Sequence, residues 1–142
     1  MTMGALHLEF DVAGDNFLSA GSATDRVKSE LRKLGISSED IRRVAISMYE
    51  GEINMVIHAG GGKAIVDIFV DKSVVKLIDQ GKGIKDIELA MKPGYSTANE
   101  EIRNLGFGAG MGLPNMKKYA DEFYIESEVG KGTTVTLIVY FN

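Results

Sequence analysis

The sequence predicts an α+β fold in which helices cover one face of a mixed, mostly antiparallel sheet. Three observations predict it: segments in which apolar and polar residues alternate, segments whose apolar residues recur at helical spacing, and the order of these segments. The order is a strand, two helices, two strands, a long glycine-containing loop, one helix and two strands. This order suits a two-layer sandwich and does not suit a doubly wound parallel sheet.

The first half of the chain supplies one strand and two helices. Residues 5–12 alternate and predict the strand, and residues 17–34 carry apolar side chains at helical spacing until Gly35 supplies a stop signal. Ser37, which is followed by acidic residues, marks the start of a second helix that we expect to run to about Ala59. That helix is apolar almost all round, so it should be buried.

The rest of the chain supplies four strands, a helix and a short helix candidate. In chain order they are strands at 64–70 and 73–78 with a turn at 71–72, the short helix at 84–91, a helix at 112–120, and strands at 122–127 and 133–141. No change of composition divides these elements, so we expect residues 1–142 to form one domain.

The composition of the 142 residues excludes several classes of function. A net charge of −4 argues against a nucleic-acid-binding surface. The absence of cysteine excludes thiol catalysis, disulfides and cysteine-ligated metals, and it fits a cytoplasmic protein. The N-terminal sequence has neither the basic start nor the apolar run of a signal peptide, and no stretch approaches about 18 apolar residues, so we expect no membrane association.

A run of alternate glycines is the strongest functional signal in the chain. Gly106, Gly108, Gly110 and Gly112 alternate with larger residues, and a helix is predicted to follow them. The backbone N–H groups of a glycine-rich loop and of a helix N-terminus together form an anion site, most often for phosphate. A plain hinge is the alternative, and the run alone does not separate the two.

The buried second helix carries polar residues along one face. Glu50, Asn54 and His58 are spaced i, i+4 and i+8, so they stack along that face. They either form a polar rim facing solvent or line a cleft, where the Asn54 amide oxygen would bind Mg²⁺ and the Glu50 carboxylate would accept a proton. We expect Glu52 on another side of the helix, at the surface or facing a partner, and His58 as a structural hydrogen-bonding residue.

Two glycine turns adjoin predicted strands. Asp79 enters a turn that contains Gly81 and Gly83, and Thr133 leaves a turn made by residues 130–132. Each is either a plain turn, in which Asp79 accepts backbone N–H groups, or part of a pocket. In the second interpretation Asp79 accepts a hydrogen bond from an exocyclic amine, a flat ring lies against the glycine backbone, and Thr133 places a hydroxyl at the pocket floor.

In this order the four segments resemble the motifs of the GHKL ATPase superfamily, whose Bergerat fold is a two-layer sandwich with a glycine-rich ATP lid. The pair Glu50 and Asn54 resembles the N box, and the segments 79–83, 106–112 and 130–133 resemble the three glycine boxes. Within that superfamily the whole chain is similar to the small stand-alone anti-sigma-factor and switch serine/threonine protein kinases, and residues 112–135 resemble the C-terminal half of the switch kinases. Gly51 departs from the pattern, since a larger residue is usual beside the base.

The resemblance implies a role for each of these residues. Glu50 would be the general base, and Asn54 would hold a Mg²⁺ ion that bridges the phosphates of ATP or ADP. The implied nucleotide-binding residues are Asp79 at the adenine amino group, Gly83 beside the ring, Thr133 at the base directly or through water, and Gly108, Gly110 and Gly112 around the phosphates. Gly81 and Gly106 belong to the same implied nucleotide site. Residues 92–105 would form a mobile lid.

The resemblance also implies a reaction and partners. The expected activity is transfer of the γ-phosphoryl group of ATP to a serine or threonine of a STAS-type antagonist protein. A sigma factor or another effector would be a second partner, and homodimerisation is left open. A nucleotide-sensing module without transfer is one alternative. A histidine-kinase-like ATPase domain is another, disfavoured because neither His7 nor His58 lies on a helix long enough for a phosphoacceptor dimerisation domain.

Overall fold

The computed structural model describes residues 6–14, 20–84, 86–92 and 112–142, with the side chain of His58 excepted. In chain order its elements are β1 (Leu6–Ala13), α1 (Ser22–Lys33), α2 (Ser38–His58), β2 (Gly61–Ile68), β3 (Lys72–Ile78), α3 (Ile87–Ala90), α4 (Gly112–Tyr119), β4 (Glu122–Glu128) and β5 (Gly132–Tyr140). Their types and order agree with the sequence prediction, and their ends differ from it by a few residues. The predicted start of the first helix, at residue 17, lies outside the described residues.

Side-chain caps set the starts of two helices. Ser37 Oγ accepts a hydrogen bond from Asp40 N at 3.2 Å, as the sequence predicted for the start of α2. Asp86 accepts one from Leu89 N at 3.0 Å, which fixes the start of α3 inside the longer segment 84–91 that we expected to be helical. Local capping chemistry therefore decides where both helices begin.

The five strands form one sheet in the order β1-β2-β3-β5-β4. All four pairings are antiparallel, so no parallel pairing occurs among the described strands, although we expected a mixed sheet. The reason is local for two of the pairs, because β2–β3 and β4–β5 are consecutive hairpins, and a short turn can join only antiparallel strands. In the first hairpin Phe69 N donates to Lys72 O at 2.8 Å, which closes the turn. The α+β class is confirmed.

The core lies between the helices and one face of the sheet. Alternate strand residues point into it and are buried, as the period of two predicts. The largest fully buried apolar side chains come from both layers: Val27, Leu31, Val44, Met48, Val66, Ile68, Val75, Leu77, Met116, Leu137 and Val139.

Helix α2 is the central helix of the helical layer. It contacts α1, α4 and strands β1, β2, β3 and β5. Gly51 permits this close packing. A Cβ at that position would overlap Leu77 Cδ1 of β3 and would lie 3.1 Å from Met116 Sδ of α4. A glycine at position 51, where a larger residue is usual, therefore allows α2 to lie close to both β3 and α4. No helix in the described ranges is long and apolar enough to cross a membrane.

Candidate functional site

The first and third glycine turns lie against each other at the end of the sheet. Asp79 Oδ1 accepts hydrogen bonds from Gly81 N at 2.9 Å and from Thr133 N at 3.1 Å, and Asp79 N donates to Thr133 O at 2.9 Å. Two motifs that lie 54 residues apart in the chain thus form one structural unit. Oδ2 of Asp79 receives no hydrogen bond from the described residues, so it is the oxygen left to accept one from a ligand.

A serine that the sequence analysis did not single out completes this unit. Ser127 pairs with Thr133 in the β4–β5 register, and their hydroxyl oxygens are 2.8 Å apart. Ile84 N donates to Ser127 Oγ at 2.7 Å, and Ser127 Oγ lies 3.2 Å from Gly132 O. The Thr133 hydroxyl is therefore held by a network rather than free to rotate. No local sequence signal marks Ser127, because its role comes from strand register.

Three glycines in these turns are required by packing. Gly83 has φ +78° and Gly132 has φ +128°, and a Cβ at either would overlap a backbone carbonyl oxygen, that of Glu128 or of Asp79 respectively. A Cβ at Gly81 would lie 2.8 Å from the Cα of Ala59, just past the end of α2. The glycines bring the two turns together and dock them on the C-terminal end of α2.

Glu50 and Asn54 lie on the face of α2 against which the start of α4 packs. The amide nitrogen Nδ2 of Asn115 is 3.5 Å from Glu50 Oε1, at the limit of a hydrogen bond. A Cβ at Gly112 would lie 2.8 Å from Asn54 Nδ2 and 3.0 Å from Asn54 Oδ1. Both predicted side chains are half-buried, and Glu50 forms no ion pair within the described part of the chain. The side chain of His58 lies outside the described residues.

The oxygen atoms on this face suit a magnesium ion that is shared with a nucleotide. No three His, Asp or Glu side chains in the described ranges converge on one point, so the protein does not offer a closed metal cage there. Mg²⁺ commonly takes one or two protein oxygens and completes its shell with phosphates and water. The Asn54 amide oxygen fits that donor set, and the N-terminal end of α4, with no acidic residue in its first turn, favours phosphate beside it.

The expectation for Glu52 was wrong, because its side chain is buried and not at the surface. It is 2% exposed, and its two carboxylate oxygens accept four hydrogen bonds from the first turn of α1. The donors are Gly21 N at 2.9 Å, Ala23 N at 3.3 Å, Thr24 N at 3.0 Å and Thr24 Oγ1 at 2.8 Å. The N-cap residue of α1 is Gly21, which has no side chain to cap its own helix, so Glu52 supplies the acceptor.

The second glycine run lies mostly outside the described residues. Gly106, Gly108 and Gly110 are outside them, as is the expected lid except Lys92, which is exposed. Gly112 is described and begins α4 beside Asn54. The structure thus brings together Glu50, Asn54 and Gly112 on one side, and Asp79, Gly81, Gly83 and Thr133 on the other, at two ends of the same stretch of α2.

The sequence of this chain is similar to a known domain family and to several known proteins. Residues 19–139 match the family model described as histidine kinase-like ATPase domain. The chain is 37% identical over 134 residues to an anti-sigma F factor of a Thermoanaerobacter species, covering 88% of this chain and 90% of that protein. It is 39% identical over 107 residues to an anti-sigma F factor of Caldanaerobacter subterraneus, covering 72% and 71%.

Two further matches concern a protein kinase and a solved structure. The chain is 34% identical over 111 residues to serine/threonine-protein kinase RsbT of Bacillus subtilis, covering 75% of this chain and 77% of that protein. A crystal structure of the RsbU and RsbW domains of a Mycobacterium tuberculosis protein superposes with a TM-score of 0.63 at 18% identity. It covers 98% of this chain, which spans about one third of that longer protein, and it shows a shared fold.

Proposed function

The chain belongs to the histidine kinase-like ATPase family, and on that premise we propose that it is an ATP-dependent switch kinase. It transfers the γ-phosphoryl group of ATP to a serine or threonine of a STAS-type antagonist protein. The names of its relatives, anti-sigma F factor and serine/threonine-protein kinase RsbT, support this assignment. The observation that carries it is the position of Glu50, a carboxylate with no ion pair among the described residues, one helical turn from Asn54 and beside the start of α4.

The proposed nucleotide lies along α2. Its adenine amino group donates to Asp79 Oδ2, and the Thr133 hydroxyl contacts the base. The glycine run 106–112 would surround its phosphates, and the Asn54 amide oxygen would hold Mg²⁺ beside Gly112. The turn at Asp79 docks on Ala59, nine residues past Glu50, which is about 13 Å along the helix axis. That span is comparable with the length of an extended nucleoside triphosphate, which supports a γ-phosphate near Glu50.

The chain's own residues then have defined tasks in the transfer. The acceptor hydroxyl oxygen forms a bond to the γ-phosphorus while the bond from that phosphorus to the β–γ bridging oxygen breaks, and ADP leaves. Glu50 orients the hydroxyl and takes its proton. Asn115 contacts Glu50 Oε1 and limits the directions in which the carboxylate can point. When Mg²⁺ is bound, it neutralises phosphate charge, and Asn54 is the side chain placed to hold it.

The proposal extends to partners and location. A STAS-type antagonist is the phosphoacceptor, a sigma factor or another effector is a second partner, and the protein acts in the cytoplasm. The anti-sigma F factor names of two relatives support a sigma-factor partner.

Transfer of labelled phosphate from ATP to a cognate STAS-type protein, identified by gene neighbourhood or by pull-down, tests the proposal. Glu50→Gln keeps the size of the side chain but removes the base, so we expect a loss of transfer of roughly 10²–10⁴ with nucleotide affinity within a few-fold. Glu39→Gln is the matched control, because Glu39 is an exposed carboxylate at the start of the same helix. It should leave transfer unchanged.

The outcomes separate the proposal from its alternatives. A wild-type protein that binds Mg·ATP and the antagonist but transfers nothing is a nucleotide-sensing module. If Glu50→Gln transfers at the wild-type rate, the base lies elsewhere. If Mg·ATP and Mg·ADP give no heat in calorimetry at millimolar concentration, the protein does not use adenine nucleotides.

A further inference from the structure

A basic and aromatic patch lies at the far end of the α2–α4 pair from the adenine turn. The Arg42 guanidinium lies over the ring of Tyr119, 5.8 Å from its centroid, and the Lys118 ammonium lies 5.4 Å from the same centroid. Arg42 and Lys118 are exposed, and Tyr119 is half-buried. We call these three side chains the Arg42 patch. Because a flat ring supports both cations, their charges are held at the surface in a defined place.

Neither Arg42 nor Lys118 forms an ion pair with another described residue. Two nearby acids, the buried Asp40 and the exposed Asp121, are bound by Arg43 instead, at 3.3 and 2.5 Å. Burial would raise the pKa of Asp121, but hydrogen bonds from Arg43 and from a backbone N–H keep that pKa below its ordinary value. The other acids nearby in the sequence are Glu39, which is exposed, and Glu122, which is half-buried, and neither forms an ion pair within the described ranges.

The patch lies in line with the proposed reaction site. Arg42 precedes Glu50 by eight residues, so both lie on one face of α2, about 12 Å apart along the axis. Helix α4 runs alongside in the opposite direction: Gly112 lies at Asn54, Asn115 at Glu50 and Tyr119 at Arg42. Along the α2–α4 pair, the turn proposed to bind adenine is therefore followed by Asn54, then by Glu50 and then by the Arg42 patch.

The direction of phosphoryl transfer determines on which side of Glu50 the acceptor protein lies. The attacking and leaving oxygens are roughly in line, so the acceptor hydroxyl approaches from the side of the γ-phosphate away from ADP. ADP occupies the stretch of α2 from Glu50 towards Ala59. The protein that carries the hydroxyl therefore extends over the stretch from Glu50 towards Arg42.

We propose that the Arg42 patch docks an acidic segment of the phosphoacceptor protein and so places its hydroxyl at Glu50. This rests on the proposed function. The partner chemistry follows from the charges: two exposed cations that have no ion pair among the described residues attract carboxylates. The patch acts on recognition of the acceptor and leaves nucleotide binding and the chemical step unchanged.

Charge reversal tests the patch against a matched control. Arg42→Glu and Lys118→Glu are compared with Arg32→Glu, which makes the same change of charge at an exposed arginine in the last turn of α1. The acceptor is a cognate STAS-type protein, identified by gene neighbourhood or by pull-down. The measurements are KM for that protein, kcat, its Kd in the presence of a non-hydrolysable Mg·ATP analogue, and the Kd of Mg·ATP.

We expect Arg42→Glu to raise the KM and Kd for the acceptor by about tenfold or more, with kcat and ATP affinity within about threefold of wild type. Lys118→Glu should act in the same direction, and Arg32→Glu should change neither constant by more than about twofold. The difference in Kd for the acceptor between Arg42→Glu and wild type should shrink as the salt concentration rises, because Arg42 and its acidic partner would meet at an exposed surface.

The proposal is overturned if Arg42→Glu and Arg32→Glu weaken the acceptor equally, or if Arg42→Glu lowers kcat alone. If the wild type transfers nothing but binds the acceptor, the test rests on the Kd values of Arg42→Glu and Arg32→Glu for the acceptor. A tenfold difference in Kd between these two variants supports docking at the Arg42 patch while the kinase activity is rejected. Equal Kd values reject both the docking proposal and the kinase activity. An acceptor that does not bind the wild type at all also rejects both.

Discussion

Glu52 caps the helix that contains Thr24: its Oε1 accepts hydrogen bonds from both the backbone nitrogen of Thr24, at 3.0 Å, and its hydroxyl, at 2.8 Å. The carboxylate reaches from α2 to the first turn of α1, where N–H groups have no partner within their own helix. Glu50, two residues earlier, instead points to the side where α4 begins. Two neighbouring carboxylates on one helix therefore have unrelated tasks, one in holding the fold and one in the proposed reaction.

Glu52→Gln should lower the free energy of unfolding by about 1–3 kcal/mol. Glutamine keeps one acceptor oxygen but turns an NH₂ group towards backbone donors, which leaves buried N–H groups without a partner. Urea denaturation measures the loss. Glu50→Gln is the control and should stay within about 0.5 kcal/mol of wild type, because that side chain is half-buried and holds no helix end. Equal stability of the two variants would contradict the assignment of Glu52 as a cap.

Gly51→Ala should destabilise the fold by about 1–3 kcal/mol, although alanine favours a helix by up to about 1 kcal/mol over glycine. The new Cβ would overlap Leu77 Cδ1 and press on Met116 Sδ. A double-mutant cycle with Leu77→Ala, followed by urea denaturation, gives the check. Gly51→Ala should cost less in the Leu77→Ala background, since the overlapping atom is gone, and strictly additive costs would show that the two positions do not interact.

The features that the sequence predicts well are those decided by neighbours in the chain. Periodicity located the strands and helices, and the Ser37 cap was predictable because its donor is Asp40, three residues away. Asp79 and Thr133 were each expected from a local glycine turn.

The features that were missed depend on residues far apart in sequence. Glu52 accepts from residues 28 to 31 positions away, and a glutamate on an otherwise apolar helix carries no sign of such a partner. Ser127 reaches Thr133 only through the register of β4 on β5. The hydrogen bonds that join Asp79 to Thr133 also needed the structure, since neither turn predicts that the other lies against it.

Gly112→Ala should weaken binding of Mg·ATP by roughly 10- to 100-fold, the range found when a group supporting a metal ligand is disturbed. A Cβ there would lie 2.8 Å from Asn54 Nδ2, so the amide must turn or α4 must shift. Calorimetry with and without Mg²⁺ provides the internal control. ATP in excess EDTA should bind both proteins alike, and a loss of the same size without metal would mean that the effect does not pass through Asn54.

The His7 imidazole should titrate above its ordinary pKa of about 6.5. Its hydrogen bond with Glu9, at 2.9 Å, and then that with Asp67, at 2.6 Å, raise the pKa by favouring the charged ring. A raised pKa means that this cluster contributes stability below the unfolded value, and that the contribution is lost as pH rises through the folded value.

An NMR titration of the two histidines measures this directly. Glu9→Gln and Asp67→Asn should each move the pKa of His7 back towards 6.5. Lys63→Gln is a milder control, because Lys63 contacts Glu9 only at 3.8 Å and does not touch the ring. A wild-type His7 that titrates at or below 6.5 would show that the ring is not held between the two carboxylates in solution.

Asp79→Asn should weaken adenine nucleotides by about 1–3 kcal/mol, or roughly 5- to 150-fold in Kd, while leaving the fold intact. The amide oxygen of asparagine can still accept from Gly81 N and Thr133 N, which are the two hydrogen bonds that Oδ1 makes. What is lost is the second oxygen, replaced by an NH₂ that opposes the adenine amino group.

Calorimetry with Mg·ADP and Mg·GTP on both proteins distinguishes this loss from a general defect. Guanine presents a carbonyl where adenine presents an amine, so GTP gains nothing from Asp79 and should be affected much less by the change. Thermal unfolding should confirm that Asp79→Asn stays within about 0.5 kcal/mol of wild type. If both nucleotides weaken equally, Asp79 supports the shape of the pocket but does not read the base, and the free Oδ2 has some other ligand.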